Sequence, residues 1–340
     1  MALERVLLPE WTPQWGVLLA WPHADTDWCD LLDDAEATYV ALACAILARQ
    51  HLRVICRDAE HSAHIRTLLT QAGAELARLE LLERPYNDTW ARDFGPIAVT
   101  ENGALTLQDW RFNGWGGKFA ADADDALNQQ LPWDVPLRRF DLILEGGAID
   151  TDGRGNLLTT SNCLLNPNRN PQLDRAAVEA QLKEAFGLRN IWWLEHGYLE
   201  GDDTDAHVDT LARFCDERTI AYVQCTDRDD VHYTELRAME QELEQLAARE
   251  QLKLVPLPMT PPLFDDDGAR MPATYANFLI INGAVLVPTY GCDTDAAALA
   301  QLDAAFPNHD VIGIHCLPLI VQHGSLHCVT MQLPTGSVPV

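Results

Sequence analysis

The strongest constraint on the fold of this chain is an order of elements that returns along it. Segments Gly147–Thr160, Asp209–Cys225 and Thr274–Tyr290 each read as two short apolar runs around a turn, at Asp152-Gly153, Cys215-Asp216-Glu217-Arg218 and Asn282-Gly283. That is a β-hairpin pattern. After each comes a stretch with apolar residues at three- and four-residue steps (Leu173–Phe186, Thr234–Gln251, Thr294–Phe306) and then a short apolar strand (Asn190–Leu194, Lys253–Leu257, Asp310–His315). An earlier copy runs from Gly95–Phe112 through a helix near Asp122–Gln130 to Arg138–Leu144. A fifth is split, with Ser325–Leu333 and Gly16–Trp21 as the hairpin strands and Asp33–Gln50 and Leu52–Arg57 as helix and strand. Units of hairpin, helix and strand, the last shared between the two ends of the sequence, predict an α/β toroid of five small modules in a single domain, 1–340, with its ring closed across the termini.

Composition fits one large domain. The 340 residues are 47% hydrophobic, enough for a sizeable core. No apolar segment approaches the roughly 20 residues needed to cross a bilayer, and no export signal opens the sequence, so a soluble cytoplasmic protein is expected. Nine cysteines at irregular spacing without a CxxC pair read as reduced thiols. A formal charge of −27 repels nucleic acid and anionic membrane and favours cationic ligands, although solubility alone would also account for it.

Three polar residues hold matching places just ahead of successive hairpins: Asp93 two before Gly95, Glu145 two before Gly147, and His207 two before Asp209. In a ring such positions converge on the axis, where Cys328, early in the strand of the split unit, would join them. Arg92 beside Asp93 suggests either an ion pair or a site. Glu145 leaves an apolar strand into Gly146-Gly147, where a ligand or backbone can come close. Asp202 to Asp209 is rich in metal-ligand types but lacks the Gly and Glu of a calcium loop and a paired-His helix, so His207 reads better as an acid/base with Asp209 beside it. Most cysteines in such a chain are core residues, and Cys328 stands out by its neighbours.

The motifs Trp90-Ala91-Arg92-Asp93-Phe94-Gly95-Pro96, Phe112-Asn113-Gly114-Trp115-Gly116-Gly117-Lys118, Leu144-Glu145-Gly146-Gly147, Asp203-Thr204-Asp205-Ala206-His207-Val208-Asp209 and Ser325-Leu326-His327-Cys328 together resemble, in order, those of the agmatine deiminases and related bacterial peptidylarginine deiminases. The resemblance spans Glu10 to about Pro334. It implies a five-module α/β propeller (pentein) with pseudo-fivefold symmetry, and hydrolysis of a small cationic guanidino substrate, most simply agmatine. It also implies Cys328 as nucleophile, His207 as acid/base, and Asp93, Glu145 and Asp209 as carboxylates holding the guanidinium. A planar, permanently charged guanidinium has to be fixed by acceptors in its plane before a thiolate can reach its carbon. No metal or organic cofactor is implied.

Asp203 is the candidate for agmatine's amine, and Trp90 and Trp115 are candidates either for lining its aliphatic stem or for core packing. The sequence departs from the pattern of these deiminases at Ala206, where Gly is usual, at Thr210, where Asn is usual, and at Gln322-His323-Gly324-Ser325. These changes bear on the far end of the pocket, so arginine and peptidylarginine stay open as substrates. An amidinotransferase or a non-catalytic polyamine-binding protein would share the acids. Assembly into a homo-oligomer is compatible with all of these readings.

Overall fold

A computed structural model describes residues 4–339. Seventeen strands fall into five separate sheets. One joins Arg5–Leu7, Ile97–Glu101, Ala104–Arg111 and Leu137–Ile143. Three three-stranded sheets follow: Ile149–Thr151 with Asn156–Thr160 and Asn190–Leu194, then Ala212–Asp216 with Thr219–Gln224 and Lys253–Pro258, then Leu279–Ile281 with Ala284–Thr289 and Asp310–His315. The fifth orders Met331–Pro334, Gln14–Ala20, His51–Cys56 and Leu79–Glu83. Each contains an antiparallel pair and a parallel strand reached by a crossover, except that the two four-stranded sheets add one strand at an edge.

This corrects the expected five-module α/β propeller closed across the termini. Among the described residues no sheet closes or curls, and no ladder of hydrogen bonds links one sheet to the next. The terminal pairing, with Met331 opposite Leu18, makes one open four-stranded sheet rather than a ring. The fold is a mixed α/β arrangement of five small sheets.

Local chemistry explains the elements. Helix Arg175–Phe186 starts where the Asp174 side chain accepts from the Ala177 N–H and stops at Gly187, whose φ of 69° lets its N–H return to the Lys183 carbonyl. Helix Ala59–Gln71, which the sequence reading did not separate, is capped by Asp58 accepting from the His61 N–H. It leads to Leu79–Glu83, a strand also not foreseen. Helix Leu32–Leu47 buries Ala35, Tyr39, Leu42, Ala43 and Ile46 at the spacing of one face, against the largest apolar cluster. Burial of that size, at about 25 cal/mol per Å2, is what holds such sheets in place. No described helix is long and apolar enough to cross a membrane.

Two expected local settings also change. Cys328 is not in a strand but in the turn-rich stretch before Met331–Pro334. Val208–Thr210 is a single 3-10 turn, so His207 and Asp209 are brought together by a tight turn and not by strand alternation.

Candidate active site

Asp93 lies in a one-turn helix, Ala91–Phe94, beside the stretch that carries Cys328, because the Arg92 N–H donates to the Cys328 carbonyl at 3.1 Å. The Arg92 side chain turns away from Asp93. Its nitrogens go to Gln332 Oε1 at 2.6 Å, the His327 carbonyl at 3.4 Å and Glu10 at 3.5 Å. Asp93 Oδ1 instead accepts from the Gly147 N–H and Oδ2 from Trp115 Nε1, each at 2.9 Å. Trp115 reaches it because Gly114, Trp115, Gly116 and Gly117 all take left-handed φ, between 54° and 86°. Burial pushes the Asp93 pKa up to about 6, with Asp209 and Glu145 adding to the rise and His207 and Trp115 opposing it.

Gly147 is where the carboxylates and the imidazole meet. A Cβ there would stand 2.6 Å from His207 Nδ1, 2.8 Å from Asp93 Oδ1 and 3.1 Å from Asp209 Oδ2. His207 follows Asp205 and Ala206, both left-handed at φ 66° and 67°, in a loop fastened by the Asp202 carboxylate to the Thr204 and Ala206 N–H groups. Neither ring nitrogen of His207 has a hydrogen-bond partner, although Nδ1 is 3.6 Å from Asp93 Oδ1. Burial works against its charge. Asp93, the Cys163 sulfur and Glu145 overcome that and hold its pKa well above the ordinary imidazole value.

Asp209 is fully buried and binds His327 Nδ1 through Oδ2 at 2.7 Å, while Oδ1 has no partner. Burial raises its pKa, but the His327 contacts win and keep it below the usual carboxylate range. The other face of His327 binds Glu10 at 2.7 Å, which in turn pairs with Arg213 at 3.0 Å. Cys328 Sγ lies 3.4 Å from Asn277 Oδ1 and 3.9 Å from Asp209 Oδ2. Burial, then Asp209 and Asp93, push its pKa well up, so the resting group is the thiol.

A cleft opens onto this cluster, lined by Asp27, Trp28, Asp88, Trp90, Asp93, Trp115, Phe119, Asp203, Thr204, Gln322, His323, Gly324 and Cys328. Of the expected residues, Asp93, Cys328, Asp203, Trp90 and Trp115 form its wall. Glu145, His207 and Asp209 are buried beside the wall and not on it. Burial pushes Asp88 up to about 7, with Asp27 and Asp203 adding to the rise.

Glu145 is held from behind by Arg169, whose Nε is 2.8 and 3.0 Å from its two oxygens. Glu145, Cys163 and His207 each offer a ligand atom within 4.8 Å of the others, the one such group among the described residues. Arg169 occupies both Glu145 oxygens, so that set is a poor fit for a cation. Sequence reasoning passed over Arg169, Cys163 and Asn277, and gave no site role to His327 or Glu10. Arg169 had a visible signal, a lone cation in the loop Asn166-Pro167-Asn168-Arg169-Asn170-Pro171.

The site therefore combines a buried thiol, an imidazole that favours its charged form, and buried carboxylates of which Asp209 keeps one acceptor unfilled, which defines a cysteine-dependent enzyme acting on a planar cation. Residues 6–334 match the family model described as Porphyromonas-type peptidyl-arginine deiminase. Agmatine deiminase of Stutzerimonas stutzeri is 33% identical over 97% of this chain and 95% of its own. A substrate-bound structure of C. jejuni agmatine deiminase, with a cysteine replaced by serine, superposes with a TM-score of 0.92 at 38% identity, covering 98% of this chain and 97% of that one. A Porphyromonas gingivalis structure provisionally named an arginine deiminase gives 0.92 at 49% identity, covering 99% and 100%. The chain belongs to the agmatine and peptidyl-arginine deiminase family of guanidine-modifying enzymes, which are hydrolases of amidine carbon–nitrogen bonds.

Proposed function

We propose that this chain is an agmatine deiminase, hydrolysing agmatine to N-carbamoylputrescine and ammonia, with Cys328 as nucleophile and His207 as acid/base. In this reading the guanidinium enters between Asp93 and Asp209, with Glu145 behind. The atoms left without partners, Asp209 Oδ1 and the His207 nitrogens, accept or exchange its protons. A cation against Cys328 offsets the two carboxylates that hold the thiol protonated, so substrate itself favours the thiolate.

As the cation binds, the Cys328 thiol gives its proton up to solvent, and the thiolate sulfur adds to the guanidino carbon. His207, charged at rest, gives its proton to one nitrogen, which leaves as ammonia, and an S-alkylthiouronium remains on Cys328. Neutral His207 takes a proton from water as that water adds to the same carbon. Collapse breaks the C–S bond, the hydroxyl proton of the adduct passes to the departing sulfur, and the ureido product is released with Cys328 again a thiol and His207 charged. None of these steps needs a metal or organic cofactor.

The observation that carries the choice of agmatine is the charge of the cavity wall. Asp27, Asp88 and Asp203 share it with Asp93, and His323 is the sole basic side chain there. A dication is drawn into such a cavity. The α-carboxylate of arginine would face like charges, at a cost on the order of 4 kcal/mol for one contact at 4 Å and an effective dielectric constant of 20. Asp203 is the proposed amine partner, with Trp90 and Trp115 along the stem. The identity to the P. gingivalis protein keeps arginine or peptidylarginine deimination as the second reading. The proposal also takes 1–340 as one catalytic domain in the cytoplasm, self-associating or not.

The test is ammonia and ureido-product release from agmatine, arginine and an arginyl peptide in parallel, with Cys328→Ala as control. Turnover of agmatine, lost in the variant, is expected. Preference for arginine or the peptide overturns the substrate, and no ammonia from any of the three moves weight to a transferase or a binding protein.

A further inference from the structure

The geometry points to Arg169 as a positioning residue for deimination: its buried guanidinium, joined through the Asp205 carboxylate to Lys118, locks Glu145, His207 and the Trp115–Asp93 pair into one geometry. The inference rests on the reaction assigned above and goes beyond it, since Arg169 is not on the cavity wall.

All three nitrogens of this side chain are engaged. Nε bridges both oxygens of Glu145, Nη1 donates to Asp205 Oδ2 at 2.7 Å, and Nη2 donates to the Thr204 carbonyl at 2.9 Å. The side chain is 0% exposed, as is that of Glu145. Asp205 is the joint. Its second oxygen takes Lys118 Nζ at 3.1 Å, and the same ammonium donates to the Asp203 carbonyl. Lys118 directly follows the left-handed Gly114–Gly117 run, whose Trp115 binds Asp93. On the other side, the Thr204 hydroxyl accepts from the His207 N–H at 3.1 Å.

Two cations and two carboxylates thus fasten three separate segments: the one carrying Glu145, the Asp202–His207 loop, and the Gly114–Lys118 stretch whose Trp115 binds Asp93. The charges balance, so the pairing is sustainable under burial, while removing the guanidinium would leave Glu145 as an uncompensated buried charge. A guanidinium is needed and not simply a positive charge. Its fixed fork serves Glu145, Asp205 and Thr204 at once, whereas a lysine ammonium is a single flexible point that cannot span all three. Misplacing a reacting group by about 1 Å can cost on the order of 100-fold in rate.

The experiment compares wild type, Arg169→Lys, Asp205→Asn and the double variant with agmatine at 15 °C, together with their melting temperatures. Asparagine tolerates the left-handed backbone at 205, so Asp205→Asn tests the joint without a backbone change. The expected result is a kcat about 100-fold lower in Arg169→Lys and about 10-fold lower in Asp205→Asn, in protein that melts well above the assay temperature. The double variant should be no worse than Arg169→Lys alone, because both break the same connection. A kcat within threefold of wild type in either single variant overturns the inference, as does a loss that tracks melting temperature or simple multiplication of the two effects. If Arg169→Lys does not fold, Asp205→Asn decides by the same threshold. Absence of ammonia from the wild type would count against the assigned reaction instead. Arg169 would then be judged by agmatine affinity in calorimetry, expected to fall about tenfold in Arg169→Lys and overturned by equal affinity.

Discussion

Replacing Asp93 by Asn separates the cost of burying this carboxylate from its use. In the native chain Asp93 keeps its proton up to about pH 6, whereas in the unfolded chain it releases it near 3.8. The native state therefore binds more protons than the unfolded state between those values. Its stability falls as pH rises through that window, the sign expected for a raised pKa. Between pH 5 and pH 7.5 the native titration spans roughly one unit above the starting pH, worth about 1.4 kcal/mol or tenfold in the folded-to-unfolded ratio. Asparagine has no such titration. It loses one of the two accepted hydrogen bonds, from Gly147 N–H or Trp115 Nε1, but that loss is the same at both pH values. Urea unfolding of the two proteins at pH 5 and 7.5 should show the difference in stability moving by about 1.4 kcal/mol in favour of Asp93→Asn at the higher pH. Agmatine turnover in the variant should be abolished. A pH-independent difference, or one moving the other way, would refute the claim that burial dominates at Asp93.

Other expected outcomes follow from particular contacts. Gly147→Ala forces a methyl within 2.6 Å of His207 Nδ1 and 2.8 Å of Asp93 Oδ1, and kcat for agmatine should fall at least about 100-fold, as steady-state ammonia release will record. Asp88→Asn removes a carboxylate that burial holds up to about 7. It should raise the KM for agmatine several-fold more at pH 8 than at pH 6, where the wild-type group is largely protonated, and leave arginine less affected. Ala206→Gly relieves a left-handed alanine and should stabilise the chain by about 0.5 to 1 kcal/mol in urea, after allowing for the added freedom of glycine when unfolded. Alkylation of Cys328 by iodoacetamide should be slow in the free chain and faster with an unreactive amidine bound, measured by mass spectrometry.

Periodicity made the hairpins, crossover helices and parallel strands legible, since each is a local pattern with its own turn. Strands Asn190–Leu194 and Asp310–His315 begin and end where the sequence places them. Closure of the sheets was not legible, because hydrogen bonding between units depends on strand edges that leave no period in the residues. Asp93, Glu145 and His207 were legible as candidates from their matching places ahead of successive hairpins, Asp209 from standing two residues after His207, and Cys328 from its neighbours. The contact of Glu10 with His327 was not legible, since the two lie 317 positions apart and neither belongs to a repeated pattern. Arg169 was passed over for another reason: its one signal, a lone cation among Asn and Pro, also fits a solvated turn, and only its burial against Glu145 separates the two.

The antiparallel pairing of Met331–Pro334 with Gln14–Ala20 bears on how this chain comes to be made. An N-terminal strand of buried residues, Val17, Leu18, Leu19 and Ala20, must stay open along one edge until a segment more than 300 positions later has been synthesised. Contacts of that sequence separation form late, and an apolar edge left open is a template for other chains. Solubility during biosynthesis should therefore hinge on the last strand: chains interrupted before Met331 should aggregate through the N-terminal sheet, and the stretch bearing Cys328 should become ordered only as that edge is finally covered.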